Sequence, residues 1–94
     1  MNKIYILGWI YNIKNEEIGD NGKYIVTFSI KTKKLVGNKS KKKEEYDYIK
    51  CDIRGRKAMS VVKNCTEGQK ATIWGRINLN NEMFSVAVDD IVFL

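Results

Sequence analysis

The chain has no histidine, no proline and only two cysteines, Cys51 and Cys65. Without histidine it lacks the commonest general base and the commonest metal ligand. Without proline it has no proline-rich linker. Two thiols at this separation fit no zinc or dithiol redox spacing, so no metal site is expected. They read as reduced, packed side chains of a cytoplasmic protein rather than as a disulfide. No run approaches the roughly 18 apolar residues of a membrane span. The apolar stretch Ile4–Ile10 is followed by no small-residue cleavage site, so it reads as a buried strand rather than a signal peptide. The seven glycines are scattered and form no phosphate-cradling loop. The adjacent acids Glu16-Glu17 and Asp89-Asp90 would point to opposite sides of a strand. A nucleophilic cysteine would find no histidine to activate it. Neither catalysis, nor a cofactor, nor a small-molecule substrate is expected.

Positive charge, by contrast, is plentiful and concentrated. The 94 residues carry 17 basic and 11 acidic side chains. Seven of the basic ones are Lys31, Lys33, Lys34, Lys39, Lys41, Lys42 and Lys43, with no acid among them. Setting these seven aside leaves ten basic against eleven acidic residues, a near-neutral body. Residues 31–45 thus read as a basic, flexible loop. It is either a solvated loop that aids solubility or an arm for a polyanion, able to neutralise phosphates without reading sequence.

The remainder divides into short periodic pieces. Lys3–Ile13 is a long apolar strand, and Lys14–Gly22 a polar loop ending in the turn signal Asp20-Asn21-Gly22. Lys23–Thr32 alternates, with Tyr24, Val26, Phe28 and Ile30 on one side. Tyr46–Arg54 alternates again, setting Ile49, Cys51 and Ile53 against Tyr46, Tyr48, Lys50 and Arg54. Ala58, Val61, Val62 and Cys65 then fall on one stripe of a short helix, which Gly68 suits as a left-handed closing residue. Lys70–Leu79 and Met83–Leu94 return to period two, the last with a bulge at Asp89-Asp90. Five strands with one helix between the third and fourth predict a single all-β domain over residues 1–94, a five-stranded OB-fold Greek-key barrel.

Six segments in this order resemble the bacterial single-stranded DNA-binding protein family: Asn2–Gly8, Thr27–Ile30, Asp47–Cys51, Arg56–Val62 with Glu67–Gln69, Gly75–Ile77 and Val88–Leu94. The chain departs from that family in four ways. Leu35 and lysines follow the second strand where an aromatic is usual, and Arg54 ends the third. The connection from Asn78 to Glu82 is short, and the family's acidic tail is not found within residues 1–94. The resemblance implies a short, tail-less member that binds single-stranded DNA in replication, recombination or plasmid and phage DNA metabolism. It also implies a homo-oligomer, dimer or tetramer, paired through first strands.

Binding single strands without sequence preference needs cations for phosphates and flat rings for bases. Tyr46, Tyr48, Lys50 and Arg54 share one strand face and can supply both, with Arg56 and Arg76 as nearby charges. The tyrosines would otherwise cover apolar surface or an oligomer contact. Trp74 is open to base contact or to a subunit interface, and Phe84 reads as core, with stacking at the edge of the fifth strand as its other reading. Tyr5, Leu7 and Trp9 make the first strand apolar on both faces, which points to an oligomer interface, with core as the other reading of Trp9. Neighbouring first and fourth strands would bring the two tryptophans near each other. An RNA-binding OB module, or an adaptor subunit of a replication or transfer complex, fits the same pattern.

Overall fold

The computed structural model describes residues 3–18, 23–34, 45–80 and 83–94. In chain order the elements are β1 (Lys3–Ile18), β2 (Lys23–Lys33), β3 (Tyr46–Arg54), α1 (Arg56–Asn64), β4 (Gln69–Asn80) and β5 (Met83–Phe93). The strands close into a barrel in the order β1-β2-β3-β5-β4, with β4 returning to β1. This is the five-stranded barrel with a single helix between β3 and β4 that the periodicity predicts.

Alternation sorts the side chains. Ile6 and Ile10 of β1, Val26, Phe28 and Ile30 of β2, Cys51 and Ile53 of β3, Ala71 and Ile73 of β4, and Val86 and Val88 of β5 all point inward and are buried. Each fully buried Ile or Val contributes about 1.5–3 kcal/mol through removal from water. Ile91 and Phe93 pack against this core, so the Asp89–Phe93 stretch completes the barrel. α1 covers one end with Ala58 and Val61. Val62, expected on the same stripe, is exposed, because one short helix presents only a narrow edge to the barrel. Gly68, at φ 85°, lies beyond the helix rather than at its cap, and its N–H donates to the Ile10 carbonyl at 2.6 Å.

The main difference from the sequence reading lies in β1, which runs to Ile18 instead of ending at Ile13. Residues 14–18 pair with 27–23 of β2 in a continuous ladder. The register shifts between Tyr11 and Lys14, with one more residue on β1 than on β2. Asn12 takes φ 56° there, a left-handed conformation that asparagine tolerates. The bulge frees two backbone amides, and the Glu67 carboxylate accepts both: Asn12 N–H to Oε2 at 2.8 Å and Ile13 N–H to Oε1 at 2.9 Å. Bulging restores the inward phase, so Ile13 still meets the core while Lys14 faces out. A second bulge sits where expected. Trp74 pairs with Asp90 and Gly75 with Val88, leaving Asp89 as the extra residue of β5.

The basic loop also begins later than residue 31. Lys31 and Lys33 are ladder residues of β2, opposite Tyr48 and Tyr46. The Lys34 N–H donates to the Glu45 carbonyl at 2.8 Å, so the hairpin stays zipped to that point. Lys39, Lys41, Lys42 and Lys43 lie outside the described residues.

Replacing Glu67 by Ala should lower unfolding free energy by about 1–3 kcal/mol, since two amides lose a charged acceptor. Glu67→Gln, which keeps one oxygen acceptor, should lose less. Urea titration followed by far-UV circular dichroism checks both; equal stability of the Ala variant and wild type would show that the bulge needs no clamp.

Candidate nucleic-acid interface

The inward set leaves its complement on the barrel exterior. Over β1, β2 and β3 this outer face carries Trp9 and Tyr11, then Ser29 and Lys31, then Tyr46, Tyr48 and Lys50. Direct register pairs join Trp9 to Lys31, Lys31 to Tyr48, Tyr11 to Ser29, and Ser29 to Lys50. The Lys31 ammonium sits 4.2 Å from the centre of the Tyr46 ring and 6.0 Å from that of Tyr11. Trp9 meets Tyr46 edge-on, with centroids 6.3 Å apart. Such a cation–π contact is worth about 0.5–1 kcal/mol at an exposed site. It pre-orders the lysine among rings. Tyr48 stands at the rim of this cluster, 63% exposed.

Beside the cluster runs an open groove of about 570 Å³, lined by Asn12, Lys14, Thr27, Ser29 and Lys50 among others. Asn12 and Lys14 reach it because of the β1 bulge. Local pattern alone puts Lys14 in a loop and gives Asn12, Tyr11 and Ser29 no role. The signal for them is the pair of polar residues Asn12 and Lys14 flanking Ile13, where strict alternation breaks.

The other predicted residues fall elsewhere. Lys34 is paired with Glu45 and Asp47 at 3.9 and 3.7 Å. Arg54 lies at the far end of β3, with Nε 3.7 Å from Asp52. Arg76 on β4 lies 3.4 Å from Asp89. Arg56 opens α1 and is exposed. Trp74 is opposite Tyr5, their rings 5.2 Å apart. The two tryptophans therefore belong to separate aromatic pairs, and Trp9 is the one beside Tyr46. Tyr5, Leu7, Trp74 and Val92 form an exposed apolar strip over β1, β4 and β5. Phe84, read as core, is exposed near the β4–β5 turn with Leu79 and Met83, because β4 and β5 extend past the barrel as a two-stranded ribbon.

Both cysteines are buried and free. Burial, seconded by the Asp52 charge, pushes the Cys51 thiol up to about 12, although a backbone hydrogen bond at Ile30 works the other way. Burial and the Glu67 charge also raise Cys65. Cys51 should therefore resist thiol reagents in the native protein at pH 8 and react once it is unfolded. Its folded value exceeds the unfolded one near 9, so its stabilising contribution is whole below pH 9 and is lost as pH rises toward 12. Urea midpoints between pH 8 and 11 should fall more steeply for wild type than for Cys51→Ala.

Known proteins share both the sequence pattern and the barrel. The family model described as "Single-strand binding protein family" matches residues 1–88. No curated protein sequence matches. Many solved structures share the fold, two PriB proteins among them. The dimeric N-terminal domain of PriB from Thermoanaerobacter tencongensis superposes with a TM-score of 0.75 at 20% identity, covering 99% of this chain and 96% of that one. PriB from Ralstonia solanacearum gives 0.77 at 12% identity, covering 99% and 97%.

Proposed function

The chain belongs to the single-strand binding protein family, and from that premise we propose that it binds single-stranded DNA on the outer face of β1–β2–β3, largely independent of sequence. The observation that carries this reading is the interleaving of rings and ammonium groups on one face. Lys31 lies between Tyr46 and Tyr11, Trp9 touches Tyr46, and Lys14 and Lys50 line the groove alongside. Unpaired bases offer a π-face that stacks on any such ring, and the phosphates between them need cations at matching intervals. Tyr46 and Tyr48 point the same way, about 6.5–7 Å apart along β3. The basic segment, including Lys33, Lys39, Lys41, Lys42 and Lys43, continues from the same β2–β3 hairpin and adds phosphate contacts. The process served is DNA replication, recombination or plasmid and phage DNA metabolism.

Tyr48→Ala should weaken oligo-dT binding by about 1–3 kcal/mol while leaving the salt dependence nearly unchanged. Lys31→Gln and Lys50→Gln should instead flatten the slope of log K against log salt by about 0.7 for each phosphate left unneutralised. Binding should quench tryptophan fluorescence through Trp9, so Trp9→Phe loses the signal and Trp74→Phe keeps it. Titrations of oligo-dT, oligo-U and duplex by fluorescence anisotropy decide the ligand: tighter oligo-U binding would make this an RNA module, and no binding to any of them an adaptor subunit.

We further propose that the protein pairs with its own copies through the strip of Tyr5, Leu7, Trp74 and Val92, with Trp9 at its margin. Four apolar side chains exposed together on neighbouring strands are an unusual solvent face, and one of the structures sharing the fold is described as dimeric. Leu7→Lys should lower the mass seen by light scattering without altering far-UV circular dichroism. A wild-type protein that is monomeric at micromolar concentration would refute the pairing.

A further inference from the structure

On the same outer surface as the aromatic cluster, but across β3 toward β5, a second depression of about 460 Å³ lies over the β3–β5–β4 surface. Its position follows from register. Thr27 pairs with Asp52, Asp52 with Ala87, and Ala87 with Arg76, so these residues form one transverse row across four strands. Ala87 is the short member of the row, and the hollow opens above it. Arg54, Arg76, Asn78 and Asp89 rise around it, and Asp52 borders both this hollow and the first groove.

Asp89 is there by construction. It is the extra residue of the β5 bulge, and bulges re-aim side chains. Lys57 holds the bulge from outside, donating to the Asp89 carbonyl at 2.9 Å and pairing with Asp90 at 3.5 Å. The Asp89 carboxylate faces Arg76 at 3.4 Å, and Asp52 faces Arg54 at 3.7 Å. Charge-assisted hydrogen bonds normally close to about 2.7–2.9 Å, so most of the bonding capacity of these four groups is unspent.

Two arginines and two aspartates cancel in formal charge. The hollow therefore has no net pull on a phosphate, unlike the lysine-lined face beside it. What it offers is a carboxylate next to guanidinium donors, complementary to a flat group with neighbouring donors and acceptors. Of the four bases, guanine alone presents two adjacent donors, N1–H and N2–H, beside two acceptors, O6 and N7. Unpaired, it exposes that edge.

Building on the single-strand reading, we propose that this hollow receives one unpaired base of the bound strand and prefers guanine. Asp89 accepts from N1–H and N2–H, and Arg76 donates to O6. Lys50, two residues before Asp52 on the same side of β3, lies about 6.5–7 Å back along the strand. That is one nucleotide step, so a phosphate held at Lys50 delivers the neighbouring base to the hollow.

The test is fluorescence anisotropy in lithium buffer, which avoids guanine quadruplexes. The probes are an oligo-dT and the same oligomer carrying spaced dG, dA or deoxyinosine. Wild type should bind the dG oligomer about 3–10-fold more tightly than the dA oligomer or oligo-dT. Deoxyinosine, which lacks the 2-amino group, should lose most of that gain. Asp89→Asn and, independently, Ala87→Leu, which fills the floor, should erase the preference while leaving oligo-dT binding unchanged. Equal affinity for dG and dA oligomers, or a preference surviving both substitutions, overturns the proposal. So does free GMP binding as tightly as the dG oligomer, which would make the hollow a nucleotide pocket. Failure of wild type to bind any oligomer would instead defeat the single-strand reading itself.

Discussion

One strand has to serve two neighbours, and the rest of the barrel depends on how it does so. β1 pairs with β4 through its first half and with β2 through its second, and around Trp9 and Ile10 it pairs with both. Such a strand must coil tightly. At Gly8 the coil brings β2 so close that a Cβ would fall on the Lys31 carbonyl oxygen, which admits only glycine. Four residues on, the Asn12 bulge adds the twist that carries β1 across to β2. Glu67, from the turn after α1, holds that bulge by its two freed amides. Barrel closure, the seating of the helix end and the aim of Lys14 thus meet at one carboxylate.

The exterior divides according to charge and flatness. Over β1–β2–β3, lysines alternate with aromatic rings; Glu45 and Asp47 pair with Lys34 at the hairpin base, and Asp52 at the groove's edge pairs with Arg54. Over β3–β5–β4, arginines and aspartates alternate and cancel. The first surface suits a repeating polyanion with stackable faces, and the second suits a polar edge of no net charge. Over β1, β4 and β5, the exposed strip of Tyr5, Leu7, Trp74 and Val92 is apolar and suits neither. Three chemistries on one small barrel arise from the same device: period-two alternation fixes what is inside, and the outward residues are free to differ strand by strand.

The sequence makes the core and the strand order legible because both rest on local periodicity. Val26, Phe28 and Ile30, or Ala71 and Ile73, announce their face within five residues. The Asp89 bulge is legible as well, since unbroken alternation would turn one of two adjacent acids into the core. The second half of β1 is not. Its polar residues have the pattern of a loop, and the partner that stabilises the bulge, Glu67, lies more than fifty positions away. The aromatic cluster is half visible. Tyr46 and Tyr48 share a strand, so spacing alone aligns them, but Trp9 and Tyr11 join them through the register of β1 on β2 and of β2 on β3, which no local pattern encodes. Trp74 lies on the expected strand but meets Tyr5 rather than Trp9, because adjacency of β1 and β4 does not specify register.

The join between β3 and β5 is the barrel's shortest, with register pairs at Cys51–Val86 and Asp52–Ala87 only, and it is the one parallel join. If the cylinder is slit anywhere, it unrolls from this line. Unrolled, it remains one sheet in the order β3-β2-β1-β4-β5. Trp9, Lys31, Tyr46 and Tyr48 keep their neighbours in that sheet, whereas Asp52 and Ala87 end at opposite margins. The face of rings and lysines is thus a property of the sheet, and the hollow over Ala87 is a property of the closed circle.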